Sequence, residues 1–191
     1  MEEASRVPVG CLVMAAGSAR RFGSNKLCAF VDGAPLIEWA LRSVPAERLA
    51  AVCVVTQYDL VEEYARRFGF ACIRNDRPQD GVSRTIRLGV EALQQSCGAI
   101  LFQVADQPHL RRASVEALLD FYLQKPECIA ALSHDGVRGN PCLFPAAFFP
   151  ELLSLTGDVG GSAVIRRHME RLRLLEVAGQ ELSDVDTPEA L

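Results

Sequence analysis

The 191-residue chain has little that would mark a metal cluster, a membrane anchor or a nucleophilic hydrolase. Its seven cysteines (Cys11, Cys28, Cys53, Cys72, Cys97, Cys128 and Cys142) never fall in a C-x-x-C pattern. Its three histidines, His109, His134 and His168, show no ligand spacing either. Zinc and iron–sulfur sites need clustered ligands, so neither is expected. An odd, scattered set of cysteines reads as reduced, buried thiols in a cytoplasmic protein. No apolar run approaches the roughly 20 residues of a membrane span. The acidic start MEEASRVPVG does not read as a signal peptide. A formal net charge of −4 gives no global attraction to nucleic acid or an anionic membrane, so neither is expected as a partner. No Ser-His-Asp or Cys-His arrangement is legible.

What is present is an ordinary globular composition, 49% apolar and 23% charged, in which apolar runs alternate with amphipathic ones. Strands are predicted over 9–16, 50–56, 71–73, 99–105, 128–132, 142–144 and 172–177. Helices are predicted over 36–43, 58–68, 83–95, 114–123, 146–153 and 162–170, with Ser83 and Ser114 as caps. The alternation predicts a three-layer, Rossmann-like α/β domain with a mostly parallel central sheet, in one unit over 1–191 with 1–8 as a loose lead-in. In such sheets ligands sit beyond the carboxyl ends of strands. Polar loops follow the first strand (17–26) and the fourth (106–108), and the acidic stretch 184–186 follows the last.

The first loop carries the chemistry. In CLVMAAGSARRFGSNK, residues 11–26, a buried strand ends in small residues and cations. This is not a Walker A loop, because Ser24 and Asn25 separate Gly23 from Lys26, and it is not G-x-G-x-x-G. The pattern is A-A-G-x-x-x-R-x-G-x-x-K. Small residues let backbone N–H groups approach phosphate oxygens, with Gly17 free to take a positive φ. Arg21 adds a fork of donors and Lys26 a mobile point charge. Asp106, directly after a strand and before Gln107-Pro108, is placed either to hold a divalent cation or to cap a turn. Asp184 and Asp186 stand two apart, so in an extended segment both would face Asp106.

These segments, in this order, resemble the nucleotidyltransferases of the molybdenum cofactor type. Ala15-Ala16-Gly17 resembles the cytidylyltransferase branch, whereas the guanylyltransferase branch has Ala-Gly-Gly. The resemblance implies that Ala15, Ala16, Gly17, Ser18, Arg21 and Lys26 hold a nucleoside triphosphate. Arg21, Lys26 and Asp106 would be the catalytic groups. Asp106 and Asp186 would hold Mg2+. Ser83 and Thr85, in a segment resembling Gly-x-Ser-x-Ser, would contact the nucleotide, with Arg74 and Asn75 near the same pocket. Asn140, Asp158 and Gly160 fall in segments that would receive the second substrate. The family often has serine where Ala19 stands. The implied reaction moves CMP from CTP to a molybdopterin-type acceptor with release of pyrophosphate. A molybdoenzyme or its chaperone would then take the product. A guanylyltransferase, a sugar-phosphate nucleotidyltransferase and a non-catalytic cofactor-delivery protein remain the alternatives.

Overall fold

A computed structural model describes residues 7–17 and 25–185. In chain order the elements are β1 (Val9–Ala15), the short pair β2 (Phe30–Val31) and β3 (Ala34–Pro35), α1 (Leu36–Arg42), β4 (Ala51–Thr56), α2 (Asp59–Arg67), β5 (Ala71–Arg74), α3 (Val82–Leu93), β6 (Ala99–Val104), α4 (Arg112–Leu123), β7 (Ile129–His134), β8 (Val137–Pro145), α5 (Phe149–Leu153), α6 (Ser162–Arg167) and β9 (Leu172–Glu176). Seven strands form one sheet in the order β5-β4-β1-β6-β8-β7-β9. Only β8 runs against its neighbours, β6 and β7.

Successive side chains of a strand point to opposite faces, and β1 is apolar on both. Val9, Cys11, Val13 and Ala15 meet Ile37 and Leu41 of α1, Val61 of α2 and Leu118 of α4. Leu12 and Ala16 join Ile86 and Val90 of α3, Leu152 of α5 and Val164 of α6. Helices therefore cover both faces, as the continuous apolar strands require. Each fully buried aliphatic side chain contributes roughly 1.5–3 kcal/mol, and Leu12, Val13, Ile86 and Leu118 are all of this kind. At Gly89 an added Cβ would lie 2.4 Å from the Leu12 methyl groups, so α3 lies directly on β1.

From β1 the chain runs outward through β4 to β5, then returns across β1 to β6. The carboxyl ends of β1 and β6 therefore flank a crevice where the winding direction reverses, the usual ligand position in open α/β sheets.

Several boundaries differ from expectation. The strand predicted over 142–144 is the longer β8, which includes Gly139, Asn140 and Pro141. These fall where the β7–β8 register shifts between Ala131 and Ser133, which accommodates a residue lacking an N–H. The predicted helix over 146–153 is a 3-10 turn, Ala146–Phe148, followed by the short α5. The run from Leu27 to Val31 splits between a 3-10 turn, Lys26–Cys28, and β2. Neither predicted cap serves: α3 starts at Val82 behind Gly81, and α4 at Arg112. All seven cysteines are free, but Cys72, on edge strand β5, is exposed. Burial pushes the Cys53 thiol up to about 12, with the nearby Cys72 adding to it, which suits a packing residue. Among the described residues no helix is long and apolar enough to cross a membrane.

Candidate active site

Pairing of β1 with β4 ends at Ala15 opposite Thr56. Beyond that point side chains continue the contact. The Thr56 hydroxyl donates to the Ala15 carbonyl at 2.9 Å, Gln57 Nε2 to the Ala16 carbonyl at 2.7 Å, and the Tyr58 hydroxyl to the Gly17 carbonyl at 3.0 Å. In a planar trans peptide the N–H points opposite to its carbonyl. The N–H groups of Ala16 and Gly17 are therefore directed away from the side chains that hold the preceding carbonyls. Gly17 is not in the left-handed region, contrary to expectation, but a Cβ there would meet nothing within 4 Å among the described residues.

Across the crevice Asn25 accepts from the Leu27 N–H at 3.1 Å and fixes the 3-10 turn that Lys26 opens. Lys26 Nζ lies 2.6 Å from Asp106 Oδ2, just past β6, with the two side chains only 18% and 20% exposed. Asp106 Oδ1 is buried and has no hydrogen-bond partner among the described residues.

The C-terminal segment straps this pair from one side. The Val185 N–H donates to the Asp106 carbonyl at 2.9 Å, and the Val185 carbonyl accepts from Lys26 Nζ at 3.2 Å. Val185 itself is buried with Val31 and Leu36. Gln107 Nε2 donates to the Leu182 carbonyl at 3.1 Å and to Asp184 Oδ1 at 2.8 Å. Further back, Glu181, 3% exposed, accepts from the Arg111 N–H at 3.1 Å and from its guanidinium at 2.9 and 2.5 Å. Burial alone would raise the Glu181 carboxyl. The hydrogen bonds from Arg111 and Ser114 outweigh it and hold the group below the usual carboxylate range. Ser114, predicted as a cap, thus serves the strap. Asp184 Oδ1 thus accepts from the residue that follows Asp106.

On the other flank, Asn75 is 2% exposed and donates to Thr85 Oγ1 at 3.3 Å. Ser83 is buried nearby in sequence, and its hydroxyl has no partner among the described residues. Arg74 turns outward to Asp59 and Glu62 and takes no part. The first N–H groups of α3 are taken. Val82 N–H donates to Asp158 Oδ1 at 3.3 Å and Ser83 N–H to the Gly157 carbonyl at 3.2 Å. Gly160 lies 3.6 Å from Val82 Cγ1, measured from an added Cβ. Asn140 lies on β8, where Arg138 reaches Ser162 of α6 at 2.7 Å.

Residues 11–172 match the MobA-like NTP transferase domain. The chain belongs to that family. As a member it is a nucleotidyltransferase. It is similar to the purine catabolism protein PucB of Bacillus subtilis, 28% identical over 190 residues, covering 92% of this chain and 90% of PucB. Rv0371c of Mycobacterium tuberculosis shares the fold at a TM-score of 0.81 and 19% identity, over 97% of this chain and 96% of that one. That protein has also been solved with manganese. A CMP:2-keto-3-deoxy-manno-octonic acid synthetase solved with CTP superposes at a TM-score of 0.74 and 17% identity, covering 95% and 94% of the two chains.

In this MobA-like chain Ala15, Ala16, Gly17, Lys26 and Asp106 meet at one crevice. Ser83 and Thr85 lie in the first turn of α3, while Asp158 and Gly160 lie in the loop against it. Ser18, Arg21 and Asp186 lie outside the described residues. No group of three or more His, Cys, Asp or Glu that could hold a metal occurs among the described residues. Asp106 supplies one carboxylate oxygen that is buried and without a partner among the described residues, the hard donor that a divalent cation prefers. Gln57, Tyr58, Gln107 and Glu181 were not legible as part of the site, since their partners are backbone groups or side chains distant in sequence.

Proposed function

We propose that the protein transfers CMP from CTP to a molybdopterin-type acceptor in a Mg2+-dependent reaction. An oxygen of the acceptor's terminal phosphate attacks the α-phosphorus of CTP. The bond from that phosphorus to the β-phosphate oxygen breaks, and pyrophosphate leaves. Such chemistry needs positioning and charge stabilisation and no protein nucleophile. In this reading the N–H groups of Ala16 and Gly17, with Ser18, face the triphosphate, and Lys26 and Arg21 neutralise its developing charge. Asp106, with Asp186, would hold Mg2+. When bound, that ion supplies Lewis-acid polarisation of the phosphates. Ser83 and Thr85 line the nucleotide side; Asn140, Asp158 and Gly160 belong to the acceptor side.

The observation that carries the reading is the Lys26–Asp106 pair beside the unsatisfied Asp106 Oδ1. An ion pair this shielded gains little net stability, because desolvation offsets most of the attraction. A cation and a carboxylate held at a switch point suit a ligand that brings both phosphate and metal. The cytidine assignment rests on Ala16, where the guanylyltransferase branch has glycine. A panel of CTP, GTP, ATP and UTP with Mg2+ and molybdopterin, read by pyrophosphate release, tests it. Release with CTP above the others is expected; turnover with GTP but not CTP rejects the cytidine assignment.

A further inference from the structure

Helix α3 has no cap of its own, because Gly81 at its N-cap position has no side chain. Its first donors are met from a loop 76 residues away: Asp158 Oδ1 takes the Val82 N–H and the Gly157 carbonyl takes the Ser83 N–H. The fit is tight. Gly81 has a φ of 84°, and an added Cβ would lie 2.4 Å from the Gly157 carbonyl carbon and oxygen and 2.7 Å from the Asp158 nitrogen. A carboxylate at this end of a helix also complements its dipole.

The contact continues inward. The capped turn carries Thr85, which accepts from Asn75 Nδ2 at 3.3 Å. The Asn75 N–H donates to the Thr56 carbonyl at 2.7 Å, and the Thr56 hydroxyl holds the Ala15 carbonyl at 2.9 Å. A continuous run of hydrogen bonds and one helical turn therefore links the 157–158 loop to the start of the 17–26 loop.

We infer that Asp158 is a positioning residue for the nucleotide side of the site: by capping α3 it holds Ser83, Thr85 and, through Asn75 and Thr56, the Ala15 carbonyl in place. This rests on the CTP-dependent reading proposed above. It makes a residue of the acceptor-side segment a determinant of nucleotide affinity even when no acceptor is present. Losing the cap leaves the turn to be ordered at the moment of binding, which lowers apparent affinity.

The test is calorimetric titration of CTP with Mg2+, without acceptor, into wild type, Asp158→Ala and Asp158→Asn. Exchange of the Val82 and Ser83 amides is followed in parallel. Asparagine caps as well as aspartate, whereas alanine does not. Asp158→Ala should bind CTP on the order of fivefold more weakly and exchange those amides faster, with Asp158→Asn near wild type in both. Gly81→Ala, which pushes the loop off the helix, should mimic Asp158→Ala. Wild-type CTP affinity in Asp158→Ala, or an equal loss in Asp158→Asn, overturns the inference. Wild type that does not bind CTP, with its Val82 and Ser83 amides still protected, instead overturns the CTP-dependent reading, and the inference falls with it.

Discussion

Lys26 and Asp106 set one cation against one carboxylate just past the end of β6. Each follows a buried strand or a small-residue turn, so its type and position alone suggested a role, and they meet at 2.6 Å. Glu181 and Gln107 gave no such signal, because what matters about them is a partner set by chain crossing. Glu181 is also where pH enters. Its folded-state value lies below the usual carboxylate range, so the unfolded chain takes up the proton first as pH falls. The stability it contributes is fully present above the unfolded value of about 4.3 and is lost as pH drops through the lower folded value. Glu181→Gln should therefore melt below wild type at neutral pH, and the gap should close in acid. Thermal melts across pH 2.5–7 check this, on the order of one reading per half unit; a gap that is constant with pH would exclude the carboxylate as its source.

At the scale of elements, the apolar runs of β1, β4 and β6 identified the strands that position the site, since buried parallel strands have few polar residues to obscure them. The misjudged boundaries share one cause. Ser83 and Ser114 were plausible local caps, yet α3 is capped by Asp158 and the Arg111 N–H before α4 is taken by Glu181. Long-range partners replaced local ones. Likewise β8 runs through Gly139-Asn140-Pro141 because a register shift against β7 accommodates the proline. The contact of α3 with β1 is open to a direct test. At Gly89 an added methyl would collide with Leu12, which is fully buried. Overpacking costs about 1–3 kcal/mol, and the helix propensity gained by Gly→Ala returns about 1 kcal/mol at most. With a Cβ 2.4 Å from both Leu12 methyl groups the cost falls in the upper part of that range, about 2–3 kcal/mol, so Gly89→Ala should lose roughly 1–2 kcal/mol net, lowering Tm by about 2–8 °C. A variant as stable as wild type would show that Leu12 can move aside.

For the whole molecule, the strand order matters more than any single contact. The reversal across β1 leaves the ends of β1 and β6 side by side, and the C-terminal strap closes over them through Val185. The alternating pattern made the parallel α/β layers legible. It did not reveal that β8 runs antiparallel between β6 and β7, because direction depends on how the chain returns rather than on composition. Membership of the MobA-like NTP transferase family agrees with that architecture. The most direct measurement follows label from [α-32P]CTP into molybdopterin with Mg2+, using wild type and Asp106→Asn. Labelled product is expected from wild type and a loss of at least about 100-fold in Asp106→Asn, with the variant still folded at the assay temperature. Equal transfer by both proteins, or no transfer from CTP by a folded wild type, would contradict the proposed reaction.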